Sequence, residues 1–171
     1  TPAFSFVASA TAALELGARP VFVDVEPATL GLDPDRVADA ITPRTRVILA
    51  VHLYGLPADM GPLRVIAEAR GVHLVEDAAQ AFGAMLGGRP VGGHGQAAAF
   101  SFYPGKNLGA CGEGGAVTTN DEQVAKTVKM LREHGQAQKY YHDLEGYNGR
   151  LHAIQAAFLR VKLRYLAEWN G

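Results

Sequence analysis

Pro57–Asp77, PADMGPLRVIAEARGVHLVED, is the stretch that decides the fold. Pro57-Ala58-Asp59 leads into a helical pattern with Leu63, Ile66 and Ala67 at i, i+3, i+4 spacing, and Gly71 closes it. Val72–Glu76 follows as a short buried strand that ends at Asp77. Just upstream, Thr45–Leu53 is a β-branched apolar run and reads as another buried strand. Strand, helix, strand in that order points to an α/β domain with a largely parallel sheet, its crossover helices lying on both faces.

The alternation continues in both directions. Toward the N-terminus, Ala8–Leu16 has helical composition with Gly17 placed as its C-terminal cap, and Pro20–Val25 reads as a short apolar strand. Asp33-Pro34-Asp35 reads as an N-cap followed by a proline at the first helical position, with Val37, Ala40 and Ile41 as the apolar face. Toward the C-terminus, Gly87-Gly88 and Gly92-Gly93 mark turns, and Ala97–Phe102 and Gly115–Thr119 read as strands. Asn120 or Asp121 caps a helix that turns Val124, Val128 and Leu131 inward and is closed by Gly135. Gln136–Arg150 is polar, Tyr-rich and irregular, long for a connector. Leu151–Trp169 reads as one helix with Ile154, Ala157, Phe158, Val161 and Leu166 on its inner side.

Composition narrows the classes. The 171 residues are 48% hydrophobic and 19% charged, which suits a folded globular chain with a real core rather than a disordered one. A net charge of -1, without a block of like charges, favours neither nucleic acid nor an anionic membrane surface as partner. No apolar run nears the roughly 20 residues that span a bilayer, and the Ala-rich start has no basic segment of the kind a signal peptide carries. The single cysteine, Cys111, leaves no internal disulfide and suits a reducing compartment, the cytoplasm. The chain begins without Met and stops just after a strong helical pattern, which reads as a piece of a larger protein.

Ligands of parallel sheets bind at the carboxyl ends of the strands. Asp77 ends one strand, and Lys106 follows another in Ser101-Phe102-Tyr103-Pro104-Gly105-Lys106-Asn107-Leu108-Gly109. An amine and a carboxylate facing one pocket suit pyridoxal phosphate: the lysine forms a Schiff base with its aldehyde, and the acid keeps its pyridine nitrogen protonated. Each residue has a plainer reading. Asp77 could cap a turn, Gln80 could bond backbone, Ser101 could face out of its strand rather than meet a phosphate, and Lys106 could be a solvated surface lysine. Other chemistries lack their patterns. Gly109–Gly115 has no Gly-Lys-Ser/Thr ending, the six histidines show no metal-ligand spacing, and no Gly-x-Ser-x-Gly elbow occurs. Gly146–Leu151 alone is a turn and a helix start.

Taken together, Phe4–Ser9, Val21–Val25, Val51–Gly55, Glu76–Gln80, Ser101–Asn107, Gly146–Asn148 and Arg150-Leu151 resemble, in order and over nearly the whole chain, the DegT/DnrJ/EryC1/StrS family of sugar aminotransferases. The resemblance implies the large domain of the aspartate-aminotransferase-like pyridoxal-phosphate fold, with Lys106 as the Schiff-base lysine, Asp77 as partner of the pyridine nitrogen and Gln80 near the ring oxygen. It makes Ser101 a phosphate ligand, and Phe6 an aromatic ring over the cofactor. Asn148 would reach the phosphate in the neighbouring subunit's site, so that complete sites need a homodimer, and Arg150 would contact a substrate anion. It also implies that residues 1–171 are an incomplete cofactor-binding domain, without the family's upstream Gly-Thr phosphate-binding segment and its small C-terminal domain. The implied reaction moves an amino group from glutamate or glutamine to a nucleotide-linked keto sugar, with Lys106 as the acid/base for the 1,3-proton shift. Two alternatives stay open: a dehydratase on the same fold, whose relatives carry histidine at the lysine position, and a non-catalytic, regulatory dimer that binds the cofactor.

Overall fold

Val47–Val51 (β1) and His73–Asp77 (β2) pair in parallel, joined by the helix Met60–Arg70. The computed structural model describes all 171 residues, Thr1–Gly171. In chain order the helices are α1 (Ala8–Glu15), α2 (Pro34–Ala40), α3 (Met60–Arg70), α4 (Glu122–Leu131), α5 (Ala153–Lys162) and α6 (Leu166–Asn170). After β2 come β3 (Met85–Leu86), β4 (Arg89–Pro90), β5 (Ala97–Ser101), β6 (Gly115–Thr118), β7 (Gln136–Gln138) and β8 (Tyr141–His142). The main sheet runs β1-β2-β5-β6, with β1, β2 and β5 parallel and β6 antiparallel at the edge. This is the α/β, mostly parallel architecture that the alternation of patterns implies. No helix is long and apolar enough to cross a membrane.

Local chemistry sets the helix ends. Asp33 accepts from the Asp35 and Arg36 amides ahead of Pro34, and Asp59 accepts from the Gly61 amide. Of the two candidates for the fourth helix, Asp121 is the cap, accepting from Gln123 and Val124. Gly71 closes α3 in the left-handed conformation that glycine adopts without strain. The main core lies on one face of the sheet, where Val37, Leu63, Ala67 and Met60 pack with Ile48, Ala50 and Leu74.

Three readings are corrected. Pro20–Val25 forms no strand: Val23 bridges Pro2 and Val25 bridges Leu32, each as a single bridge, and only Thr1 and Pro2 run beside Val21–Val23. As the turn signals at Gly87-Gly88 imply, no helix links β2 to β5. The glycine-rich segment between them makes the β3-β4 hairpin and a loop instead, with Gly87 and Gly88 both at positive φ in the tight turn. The Gln136–Arg150 stretch is not wholly irregular, since β7 and β8 pair as a small hairpin. Leu151–Trp169 is broken by a 3-10 turn at Leu163–Tyr165, and its expected inner side is mostly outward. Ile154, Ala157, Phe158 and Val161 are exposed, and Leu159 and Leu166 are the buried residues. The true inner stripe is Gln155, Leu159, Lys162 and Leu166, a mixed face that both packs and hydrogen-bonds. Val124, Val128 and Leu131 of α4 are only half-buried.

Candidate functional site

β2 places two neighbouring carboxylates on opposite faces of the sheet, because successive strand side chains alternate. Glu76 points into the packed side and is fully buried. One of its oxygens accepts from the His94 amide (2.8 Å) and the Gly95 amide (2.6 Å). The other accepts from the Gly92 amide (2.7 Å) and from His52 Nε2 (3.0 Å). His52 Nδ1 accepts from the Ala58 amide, so the ring proton sits on Nε2 and is donated to Glu76. Burial by itself raises the Glu76 pKa, but the hydrogen bonds from His52, Gly95, Gly92 and His94 outweigh it and bring it to about 2. This carboxylate fixes the loop before β5 and the start of the turn Leu53–Gly55.

Asp77 points the other way and is half-buried. Its Oδ2 accepts from the Ser9 hydroxyl at 2.6 Å and its Oδ1 from the Ala79 amide at 3.1 Å. Asp77 lies opposite Ala99 in the parallel register, so Ser101, two residues further along β5, falls on the same face. Ser101 Oγ accepts from the Tyr103 amide (3.2 Å), which leaves its own proton available to a ligand.

Lys106 follows in the turn that its amide closes on the Tyr103 carbonyl. It is half-buried, and its amine makes no hydrogen bond and no ion pair within the chain. Gln80 and Lys106 line one open groove of about 600 Å³, along with Tyr54, Phe82, Trp169 and Asn170. Gln80 Oε1 accepts from the Tyr54 amide at 2.8 Å, so the plainer reading, a backbone contact, holds for the oxygen while the NH₂ remains a free donor. Tyr54 reaches this position with a left-handed backbone (φ 53°), a strained conformation for a non-glycine residue next to a groove.

The Lys106 loop is held by the C-terminal helices. Lys162 Nζ donates to the Gly109 carbonyl (2.5 Å), the Cys111 amide donates to Gln155 Oε1 (2.8 Å), and Asn107 Nδ2 donates to Asn170 Oδ1 (2.8 Å). Asn170 also donates to the Phe82 carbonyl at 2.7 Å, so it joins the Lys106 loop to the segment after Gln80. A Cβ on Gly109 would run into the Pro104 carbonyl, which is why the loop needs glycine there.

Lys106 and Gln80 are therefore brought together, with Asp77 and Ser101 at adjoining strand ends, although Asp77 itself is not part of the groove wall. Phe6 stands one turn ahead of Ser9 and is 70% exposed. Asn148 and Arg150 lie elsewhere: Asn148 bridges Glu133, and Arg150 Nη1 donates to Glu133 Oε1 at 2.7 Å, both at the surface beyond α4. Ser9, Tyr54 and Asn170 escape a reading of the sequence. The one signal for Ser9 is a hydroxyl in the first turn of an Ala-rich helix that has no apolar stripe.

Residues 1–171 match the profile of the DegT/DnrJ/EryC1/StrS aminotransferases from end to end. The chain belongs to that family. Within it, the chain is 54% identical over 170 residues to the erythromycin biosynthesis sensory transduction protein EryC1 of Saccharopolyspora erythraea, covering 99% of this chain and 46% of that protein. It is 52% identical over 170 residues to the dTDP-3-amino-3,4,6-trideoxy-alpha-D-glucose transaminase of Streptomyces venezuelae, covering 99% and 45%. Its fold overlays the crystal structure of S. venezuelae DesV in complex with a ketimine intermediate with a TM-score of 0.97 at 52% identity, covering 100% of this chain and 46% of that one. The chain thus spans about half the length of the relatives it matches.

Proposed function

We propose that the protein carrying this chain is a pyridoxal-phosphate-dependent aminotransferase that passes an amino group from glutamate or glutamine to a nucleotide-linked keto sugar. The observation that carries the reading is one groove walled by the unpaired Lys106 amine and the Gln80 amide, beside a strand end bearing Asp77.

The donor set fits the cofactor. Lys106 offers an amine with no acidic partner, the Gln80 NH₂ is a free donor for the ring oxygen, and the Ser101 hydroxyl proton is free for the phosphate. Asp77 keeps acceptor capacity for a ring N–H beside its two internal bonds. When bound, the cofactor supplies the electron sink that makes the donor amino acid's Cα proton acidic. Lys106 would hold the cofactor through Nζ and, once displaced by the donor's amine, would take that proton and return it in the 1,3-shift. Asp77 would keep the ring nitrogen protonated, and Phe6 would offer the ring an aromatic face. In this reading residues 1–171 are part of the large domain, and Asn148 completes the site of a second subunit in a homodimer. Arg150 exchanges Glu133 for a substrate anion. The lone, exposed Cys111 suits the cytoplasm.

The test is titration of the intact protein with pyridoxal phosphate, followed by amino transfer to a panel of nucleotide keto sugars. Visible absorbance and turnover are expected, and Lys106→Ala removes the absorbance and lowers turnover by about 10³-fold or more. Wild-type protein that stays colourless, or Lys106→Ala with an unchanged spectrum, overturns the reading. A regulatory reading draws on one observation, the name of the 54%-identical relative, a sensory transduction protein. It requires cofactor binding without turnover on any sugar of the panel. Loss of water from the sugar, in place of gain of an amine, marks the dehydratase.

A further inference from the structure

α1 is attached to the domain in an unusual way. No apolar residue of this helix is fully buried, and its single buried residue is Ser9. The Ser9 hydroxyl donates to Asp77 Oδ2 at 2.6 Å, a short bond of the kind a hydroxyl makes to an ionised carboxylate. Its proton is thereby committed. The 3.2 Å contact between the Ser5 and Ser9 hydroxyls then has Ser5 as donor, and the order runs Ser5 to Ser9 to Asp77. The Ser9 amide donates in turn to the Phe6 carbonyl at 3.2 Å. Phe6, α1 and Asp77 are thus joined through one side chain.

We infer that Ser9 is a positioning residue. It sets the rotation of the Asp77 carboxylate and makes the docking of α1, with Phe6 at its leading end, depend on the state of that carboxylate. With Ala79 holding Oδ1 and Ser9 holding Oδ2, the plane of the carboxylate is fixed and its remaining lone pairs have one direction. Without the hydroxyl the carboxylate pivots on the Ala79 bond alone, and α1 loses its one buried anchor. A ligand that locks Asp77 should therefore tighten α1, and a loose α1 should weaken the ligand, since coupling of this kind is reciprocal.

This inference rests on the cofactor reading above. The intact protein and its Ser9→Ala and Ser9→Thr variants are titrated with pyridoxal phosphate, and Asp77→Asn serves as the control on that reading. Three quantities are read: the dissociation constant, the visible circular dichroism per bound cofactor, and hydrogen–deuterium exchange of the α1 amides with and without cofactor. In wild type, binding is expected to slow exchange in α1. Ser9→Ala should weaken binding roughly tenfold, the scale of one hydrogen bond to a charged group. It should also reduce the dichroism and abolish the slowing of α1. Ser9→Thr keeps the hydroxyl and should restore all three. Wild-type dichroism and coupled exchange in a folded Ser9→Ala protein overturn the inference, as does Ser9→Thr behaving like Ser9→Ala. If Ser9→Ala fails to fold, Ser9→Cys, a near-isosteric weaker donor, takes its place: intermediate values support the inference and wild-type values overturn it. Wild-type protein that does not bind, or Asp77→Asn that binds unchanged, brings down the cofactor reading and this inference with it. An effect of Asp77→Asn without one of Ser9→Ala brings down this inference alone.

Discussion

Replacing Glu76 by glutamine tests the buried carboxylate with almost no change of shape. Four donors converge on it: the His52 ring and the amides of Gly92, His94 and Gly95. Glutamine offers one oxygen, and its NH₂ must then face two N–H groups that it has no lone pair to receive. His52 offers no escape by changing tautomer, because Nδ1 already accepts from Ala58. The folded pKa of Glu76 is depressed from 4.5 to about 2. That difference is worth on the order of 3 kcal/mol at one pKa unit per 1.36 kcal/mol, with the group fully buried and so little screened by water. A depressed carboxylate stabilises the fold above its unfolded pKa, and that contribution fades as pH falls from the unfolded toward the folded value. Glu76→Gln should therefore lower stability near neutral pH by about 3 kcal/mol, or roughly 6–12 °C in Tm for a domain of this size. Thermal or urea unfolding of both proteins across the acid range is the assay. The gap should hold down to about pH 4.5 and close as pH approaches about 2, where the wild-type carboxylate takes up its own proton. A gap of equal size at both ends, or no gap near neutrality, refutes the reasoning.

Two further substitutions probe the Lys106 loop. Gly109→Ala forces a methyl against the Pro104 carbonyl. The overpacking should cost about 1–3 kcal/mol in thermal unfolding and weaken cofactor binding, because the loop must open to admit it. Asn170→Ala removes the bonds to Asn107 and to the Phe82 carbonyl. At an exposed site it should cost no more than about 1.5 kcal/mol in stability while weakening cofactor binding several-fold, and equal losses in both measurements would place its role in folding alone.

What the sequence shows plainly is what local chemistry decides. Asp33 before Pro34, Asp59 before a helical spacing and Gly71 after it act within a few residues of themselves, and each caps its helix as the pattern implies. Partners across the fold are another matter. Pro20–Val25 has strand composition, yet composition does not say whether a neighbouring strand is there to complete a ladder, and only single bridges form. The last helical stretch is more instructive. The strongest apolar spacing, Ile154, Ala157, Phe158 and Val161, marks an apolar side of α5 without marking what covers it, and within this chain it is exposed. The side that packs carries Gln155 and Lys162 because it must satisfy the Cys111 amide and the Gly109 carbonyl of a loop without regular structure. In the candidate site, Lys106 stands out through its Pro and Gly frame and Asp77 through its strand end. Ser9 meets Asp77 from 68 positions away and Asn170 meets Asn107 from 63, and no local pattern reports that.

The two carboxylates that end β2 differ in a way that decides which of them can meet a ligand. A carboxylate has about four lone-pair sites. Glu76 fills all four with His52, Gly92, His94 and Gly95, behind a surface that water does not reach. It has nothing left to offer, and its role is to hold the loop before β5 and the turn that presents Tyr54 to Gln80. Asp77 fills two, with Ser9 and Ala79, and is half-buried. Its remaining capacity lies at the carboxyl end of the sheet, on the face shared with Ser101, where open parallel sheets take their ligands. Strand alternation alone separates these roles. A slip of one residue in the pairing of β2 would turn each carboxylate to the other face, taking Glu76 from its four donors and Asp77 from Ser9. The register Val51–Asp77–Ala99 is what sorts the two carboxylates, and the four bonds that Glu76 accepts hold the strand in it.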